Sequence, residues 1–487
     1  MTLVLAVVFP LSCAFLIPLL HLYGGALLRK FLPVMGLGTL ALTLAAALSG
    51  FNDYALSFFG GWPARLGVVF VVDSLSSIFL ILVAFGSGIS LLYSYDRMGT
   101  GPWRFYVIFF LLQASMNGVL LTGDLFNMFV FYEIFSLTAY LLVSYSLTWQ
   151  AVEAGLKYLV MGTVGAFFIL LGAAYAFIAN KTLNMAALAV SLPQIPKATL
   201  VVIAACMVVG LSLKAGAFPF HFWLPDAHSS ALTAVSALLS GVVIKVSVYA
   251  LIRISLLFFG DPLPTVFDVI TALGVISLLG GHLMAFKQQD IKRLLAYSTV
   301  AQIGYIMIGA GMGTAMGIGA ALFHSVNHML MKSGLFMTAG HLAEEMKTRN
   351  ISHMRGLFAH RKGLVLAFTV LAAAIVGVPP LNGFMSKWYL VMASVEKGNL
   401  LAALSLVFGT VISASYYLRV LHAFYAPGDG PKKYKDPRCP LAVAVVLSGC
   451  CVVLGLLPFF YPIGDIFAEV GAKALDVKNY VAAVLLQ

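Results

Sequence analysis

Residues 320–335, ALFHSVNHMLMKSGLF, place His324, His328 and Lys332 four apart in an apolar stretch. A helix turns about 100° per residue, so steps of four drift only about 40° and the three side chains share one face. Imidazole titrates near neutrality and can accept a proton on one nitrogen while donating from the other. From His324 to Lys332 the rise is about 12 Å, nearly half the hydrocarbon core of a bilayer. Proton relay is the chemistry this row suits best. A metal site would need a third ligand, which is not evident, and Lys332 would repel the cation. A lone membrane histidine more commonly hydrogen-bonds a neighbouring helix.

Other charges raise the same question. Of the 29 Lys and Arg, Lys214, Lys245, Lys332 and Lys387 fall in the middle or at the break of apolar segments. At mid-membrane each costs about 2.5–3.5 kcal/mol on a translocon-type scale. Pairing, internal water or loss of the proton must offset that. Glu133, in LFNMFVFYEIFSLTAYLLVSY, is an acid in a similar position, and Lys214 is its expected partner. Taken singly, each residue reads equally well as a structural ion pair or an interface residue. Five on different spans read as a chain of titratable groups, which marks an ion or proton pathway.

The segments that must hold these groups are unusual. In 208–241, Lys214 is followed by Gly216, Pro219 and Pro225; in 373–395, Gly377, Pro379, Pro380 and Gly383 precede Lys387. Proline removes a helical hydrogen bond and clashes with the preceding turn, so both segments are expected to be interrupted helices. His221, Asp226 and His228 are the polar residues of the first break and form an expected access path. Interrupted spans in corresponding positions of two halves point to an inverted repeat with the site at the breaks.

Composition sets the solvent. The chain has 487 residues, 61% hydrophobic and 10% charged, against about 25% charged in a soluble domain. Its mean hydropathy is +0.99. Apolar runs of about 18–25 residues fit membrane-spanning helices. The fold class read from this is an all-α polytopic membrane protein of about 14 transmembrane helices, with helices 7 and 12 discontinuous. Spans 4–8 and 9–13 form two inverted five-helix repeats, since an odd offset reverses orientation. The division is 1–102 (helices 1–3), 103–257 (first repeat), 258–425 (second repeat) and 426–487 (final helix and tail). The N-terminus lacks a basic region and a cleavage site and reads as an uncleaved first span.

Most Lys and Arg fall in loops after odd-numbered spans, among them Arg29, Lys30, Lys292, Arg293 and the Lys432, Lys433, Lys435 cluster. The other loops hold fewer, such as Arg65, Lys181 and Arg253. The positive-inside bias then puts both termini on the outer side of the cell membrane. The net charge of +11 is explained by this topology, so nucleic acid is not an expected partner. Five cysteines without C-x-x-C spacing read as small packing residues. No P-loop, dinucleotide fingerprint, zinc or iron–sulfur spacing is present, and no cofactor or metal is expected in this chain.

GDLFNMFVFYEIFSLTAYLLVSY, LKAGAFPFHFWLPDAHSSALTAVSALLSGVVIKVSVYALIR, KQQDIKRLLAYSTVAQIGYIMIG, FHSVNHMLMKSGLFMTAGH and GVPPLNGFMSKWYL carry a resemblance. They resemble the antiporter-like, ion-translocating subunits of respiratory complex I, multisubunit Na⁺/H⁺ antiporters and membrane-bound hydrogenases, nearest in flavour to the antiporter's D-type chain. The resemblance implies half-channels joined by a central polar axis. Glu133 would tune Lys214, Lys245 would bridge inward, His324, His328 and Lys332 would carry charge onward, and Lys387 would be the terminal exchange site. It implies other membrane subunits, H⁺ alone or against Na⁺ as the transported ion, and a peripheral redox arm in some assemblies. Two alternatives stand beside it: a quinone-handling redox subunit, against which the missing cofactor ligands argue, and a stand-alone solute carrier.

Overall fold

The computed structural model describes residues 1–65, 67–428 and 437–486. Lys432, Lys433 and Lys435 lie outside the described residues. The chain is nearly all helix. It opens with α1 (Thr2–Tyr23) and α2 (Gly25–Ser49), then α3 (Ser74–Met98), α4 (Trp103–Leu121), α5 (Leu125–Val143), α6 (Trp149–Asn180) and the short α7 (Met185–Ser191). Next come α8 (Lys197–Ala215), α9 (Trp223–Ser230), α10 (Thr233–Leu238), α11 (Ile244–Phe259), α12 (Thr265–Phe286), α13 (Ile291–Gly311) and α14 (Ala315–Met346). The remainder is α15 (Leu357–His360), α16 (Lys362–Val376), α17 (Asn382–Glu396), α18 (Leu400–Tyr425), α19 (Arg438–Leu456), α20 (Ile463–Leu475) and α21 (Val477–Leu485).

Among the described residues, 12 helices are long and apolar enough to cross a membrane. Beside these stand the 32-residue α14 and the interrupted pair α16–α17, of which α16 is a shorter apolar helix. Both expected breaks are present. The first separates α8 from α9 at 216–222, and the second separates α16 from α17 at 377–381. Residues 229–259 comprise the end of α9, a turn, α10, a π-helical turn at Leu239–Val243 and α11. One feature was not expected: an antiparallel hairpin of β1 (Ala55–Phe58) and β2 (Val69–Val72), paired Ala55 to Val72 and Phe58 to Val69.

The five-helix repeat can be read residue by residue. Thr148 caps α6 and Thr314 caps α14, and both helices have 32 residues. Lys181 and Lys347 end them in the left-handed conformation. Asp124 caps α5 and Asp290 caps α13. Asp124 forms a bridge with Asn184, and Asp290 one with Asn350. Every one of these pairs is 166 residues apart.

By contact the chain divides into two compact units. The first is Met1–Ala215, Val242–Asp268 and Val470–Gln487; the second is Gly216–Gly241 and Val269–Glu469. In the first, α6 and α8 touch backbone to backbone, because a Cβ on Gly210 would lie 2.7 Å from the Gly165 carbonyl oxygen. Gly210→Leu is expected to cost about 1–3 kcal/mol or more through overpacking. A drop in intact complex on native gels checks it. Asp73 caps α3 and pairs with Arg253 of α11 at 2.5 Å. Arg253 lies over the rings of Tyr249 and of Tyr480 from α21. Burial by itself would raise the Asp73 carboxyl, but the Arg253 guanidinium outweighs it and holds the group below its ordinary value. The loop placement read for Arg253 is thereby corrected: α11 runs to Phe259 and keeps the cation inside. In the second unit, α14 is buried along most of its length and packs against α13, α16, α17 and α19.

Candidate functional site

In the first unit, Lys214 occupies the last turn of α8, next to the break. Its ammonium donates to the Ser136 hydroxyl at 2.7 Å and lies 5.3 Å from the Tyr132 ring centre. Glu133 Oε1 is 3.8 Å from Lys214 Nζ, so the expected pair forms. The two ends differ in exposure: the Lys214 side chain is 3% exposed and that of Glu133 45%. On this chain the Glu133 side chain is thus partly open, although Oε1, the oxygen that faces Lys214, is buried. Its helix turns it toward the stripe of exposed Phe126, Val130, Ile134, Leu137 and Leu141. Lys245 is fully buried at the start of α11, directly after the π-helical turn. The Tyr132 hydroxyl donates to the Val246 carbonyl at 3.2 Å, so one tyrosine touches both the Lys214 ammonium and the backbone beside Lys245.

In the second unit the opening row is on one helix and wholly buried. His324 Nδ1 meets the Ser386 hydroxyl at 2.9 Å and its Nε2 meets Gln302 Oε1 at 2.8 Å. The His324 and His328 rings are stacked at 6.3 Å. Lys332 donates to the Leu295 carbonyl at 2.7 Å and lies 3.5 Å from the Tyr417 hydroxyl. Lys387, one residue after Ser386 on α17, donates to the carbonyls of Ile375 and Val376 at 2.9 and 3.0 Å. Those carbonyls are freed by the break after α16, so the interruption supplies the acceptors that hold the lysine. The Lys387 ammonium also lies 4.7 Å from the Tyr305 ring centre.

The expected access residues are in this unit as well. His221 is buried between Phe218 and Phe222. Asp226 pairs with Arg293 at 2.9 Å. His228 is buried and stacks on Phe336 at 4.9 Å, the same ring that lies 5.8 Å from the Lys332 ammonium.

Sequence reasoning missed several polar partners. His282 of α12 is buried and meets the Tyr416 hydroxyl at 3.0 Å. Gln302 and Ser386 are further partners of His324, Tyr305 of Lys387 and Tyr417 of Lys332. The signal was available for His282, an imidazole in the apolar run LLGGHLMAF. Tyrosine and serine are common enough in spans that they gave none. Lys292, read as a loop cation, is also buried, and its ammonium donates to the Ala231 carbonyl at 2.8 Å. Helix α13 begins one residue earlier, at Ile291, which draws Lys292 inward.

Lysines buried beside two interrupted spans are a feature of membrane proteins that move ions, since a charge at that depth has to be held and hydrated to be kept. The family described as NADH:quinone oxidoreductase/Mrp antiporter, transmembrane, matches residues 122–413, and the chain belongs to it. It is 36% identical to the N-type chain of the NADH-quinone oxidoreductase of Desulforudis audaxviator, over 93% of this chain and 95% of that one. It is 31% identical to the D-type chain of the Na⁺/H⁺ antiporter of Alkalihalophilus pseudofirmus, over 89% of each. Among solved structures, a chain of an archaeal membrane-bound sulfane sulfur reductase, a respiratory membrane complex, superposes with a TM-score of 0.93 at 30% identity over 99% of both. The fold and the antiporter-like character expected from the resemblance are thus found.

Proposed function

We propose that this chain is a proton- or cation-translocating subunit of a multisubunit cell-membrane complex. Protons move along the Glu133–Lys214–Lys245 set and along the His324–His328–Lys332–Lys387 set, with His221, Asp226 and His228 as an access path. The observation that carries the reading is the Glu133–Lys214 pair at 3.8 Å, where a buried ammonium meets a carboxylate at the end of a broken helix. Opposite charges at about 4–6 Å shift pKa values by about 1–3 units, enough to switch a lysine between holding and releasing its proton. A charge arriving near Glu133 weakens its hold, and Lys214 passes its proton on.

Glu133 also argues for partner subunits. The Glu133 side chain is 45% exposed on an apolar stripe even though its Oε1 is buried, and an acid at such a surface is costly against hydrocarbon, so another membrane subunit covers it. The relatives named above belong to an oxidoreductase, an antiporter and a sulfur reductase. The reading places any redox cofactor in a peripheral arm outside this chain, makes H⁺ the transported ion with Na⁺ as its counter-ion in an antiporter setting, and puts both termini on the outer side by the charge bias. The test is Glu133→Ala and Lys214→Ala in the assembled complex, with translocation followed in sealed vesicles. Both are expected to lose most translocation, about 10²-fold for Lys214→Ala. Near-normal transport in both would overturn the proposal.

A further inference from the structure

The repeat supplies an internal control for one cluster of charges. In the second unit, the loops before α13 and after α14 form a small platform. Ile291 N–H donates to the Arg349 carbonyl and Ile351 N–H to the Gln289 carbonyl, both at 2.9 Å. Three cations and an acid reach from this platform, the first turn of α13 and the end of α14 to residues 226–233, the second half of α9 and its link to α10. Lys292 donates to the Ala231 carbonyl at 2.8 Å, and Arg349 to the Ser229 carbonyl at 2.5 Å. Arg293 pairs with Asp226 at 2.9 Å, and the Thr233 hydroxyl donates to Glu344 at 2.5 Å. Helix α14 comes so close here that a Cβ on Gly340 would lie 2.5 Å from the Thr233 side chain.

The twin platform in the first unit has the same frame. Leu125 N–H donates to the Leu183 carbonyl and Met185 N–H to the Gly123 carbonyl, both at 2.8 Å. At the positions 166 residues before Lys292, Arg293, Glu344 and Arg349 stand Phe126, Asn127, Ile178 and Leu183. The frame therefore folds without these charges, and their presence in one copy calls for another reason. Topology accounts for basic residues in solvated loops. It does not account for Lys292, which is 6% exposed with its ammonium on a carbonyl oxygen. Cations at the C-terminal end of α9 are also favoured by the helix dipole.

We propose that Lys292, Arg349 and Glu344 are positioning residues, a charged latch that holds the Ser229–Thr233 turn shut over His228. His228 lies in the last turn of α9, buried against Phe336, and its carbonyl accepts from Ser236 at 2.8 Å. The latch rests on the translocation reading only for the path it guards.

The experiment reads closure without transport, so failure of the latch and failure of that reading are separable. In native membranes holding the full complex, the five native cysteines are replaced and Ala227, which is fully buried, is changed to cysteine. A membrane-impermeant maleimide is applied to vesicles of both orientations. Lys292→Met and Arg349→Gln are each expected to speed labelling about tenfold or more from one face, as loss of a charge-assisted bond implies. Lys292→Arg, which can still donate to the Ala231 carbonyl, returns the rate to that of the parent. Unchanged labelling in both losing variants overturns the latch, as does Lys292→Arg labelling as fast as Lys292→Met. Should Lys292→Met fail to accumulate, Thr233→Val decides: faster labelling supports the latch and an unchanged rate overturns it.

Discussion

Lys332→Met is expected to lower proton translocation by the assembled complex about 10²-fold or more, the range seen when a positioned proton-transfer group is removed. The fold should tolerate the change. Methionine fills a similar volume, and the Leu295 carbonyl that loses the ammonium still accepts from the Thr299 hydroxyl at 2.9 Å. What is lost is a group able to take and release a proton between His328 and the Tyr417 hydroxyl. Lys332→Arg sharpens the prediction. Arginine keeps the positive charge but does not deprotonate in proteins. If Lys332 carries protons, the arginine variant should pump as poorly as the methionine one. If it serves as a fixed charge, arginine should restore pumping and methionine should not. Dye-reported acidification of vesicles, normalised to the amount of complex, separates the two, and normal pumping by Lys332→Arg would remove Lys332 from the relay.

The parts of this molecule that were legible in sequence share one property: they violate the chemistry of their surroundings. A lysine in hydrocarbon, a proline pair in a span and two imidazoles one turn apart are each costly in place, so each is visible without a structure. That is why Lys214 and Lys387 could be placed beside breaks before the breaks were seen. The repeat was harder. Lys214 precedes its prolines while Lys387 follows them, so the lysines do not align, and α8 runs to Ala215 whereas α16 already stops at Val376. The register is carried by quieter residues, the caps Thr148 and Thr314 and the bridges Asp124–Asn184 and Asp290–Asn350. Polar caps at loop ends are ordinary in any helical protein, and only their constant spacing distinguishes them. The hairpin at Ala55–Val72 was hidden because its strands are short and the stretch between spans gave no strong period.

Arg253 shows what the tally of membrane lysines left out. Its pair with Asp73 is buried, bracketed by Tyr249 and Tyr480, and it ties α3, α11 and the C-terminal α21 together within one unit. Arg253→Ala removes one partner and leaves a buried carboxylate without its cation. The expected cost is about 3–5 kcal/mol, against a total stability of about 5–15 kcal/mol for a typical domain. Asp73→Asn combined with Arg253→Met should recover much of that loss, because asparagine keeps the α3 cap and neither residue is charged. The pH dependence has a definite sign. Asp73 titrates in the folded chain below its unfolded value of about 3.9, so the pair stabilises fully at neutral pH and its contribution fades as the pH falls below about 4. Thermal unfolding of the purified complex in mild detergent should therefore show the parent losing more stability than the double variant as the pH falls below about 4. A parent and double variant with parallel acid curves, or an Arg253→Ala chain as stable as the parent, would mean that the tyrosines rather than the ion pair hold α21 in place.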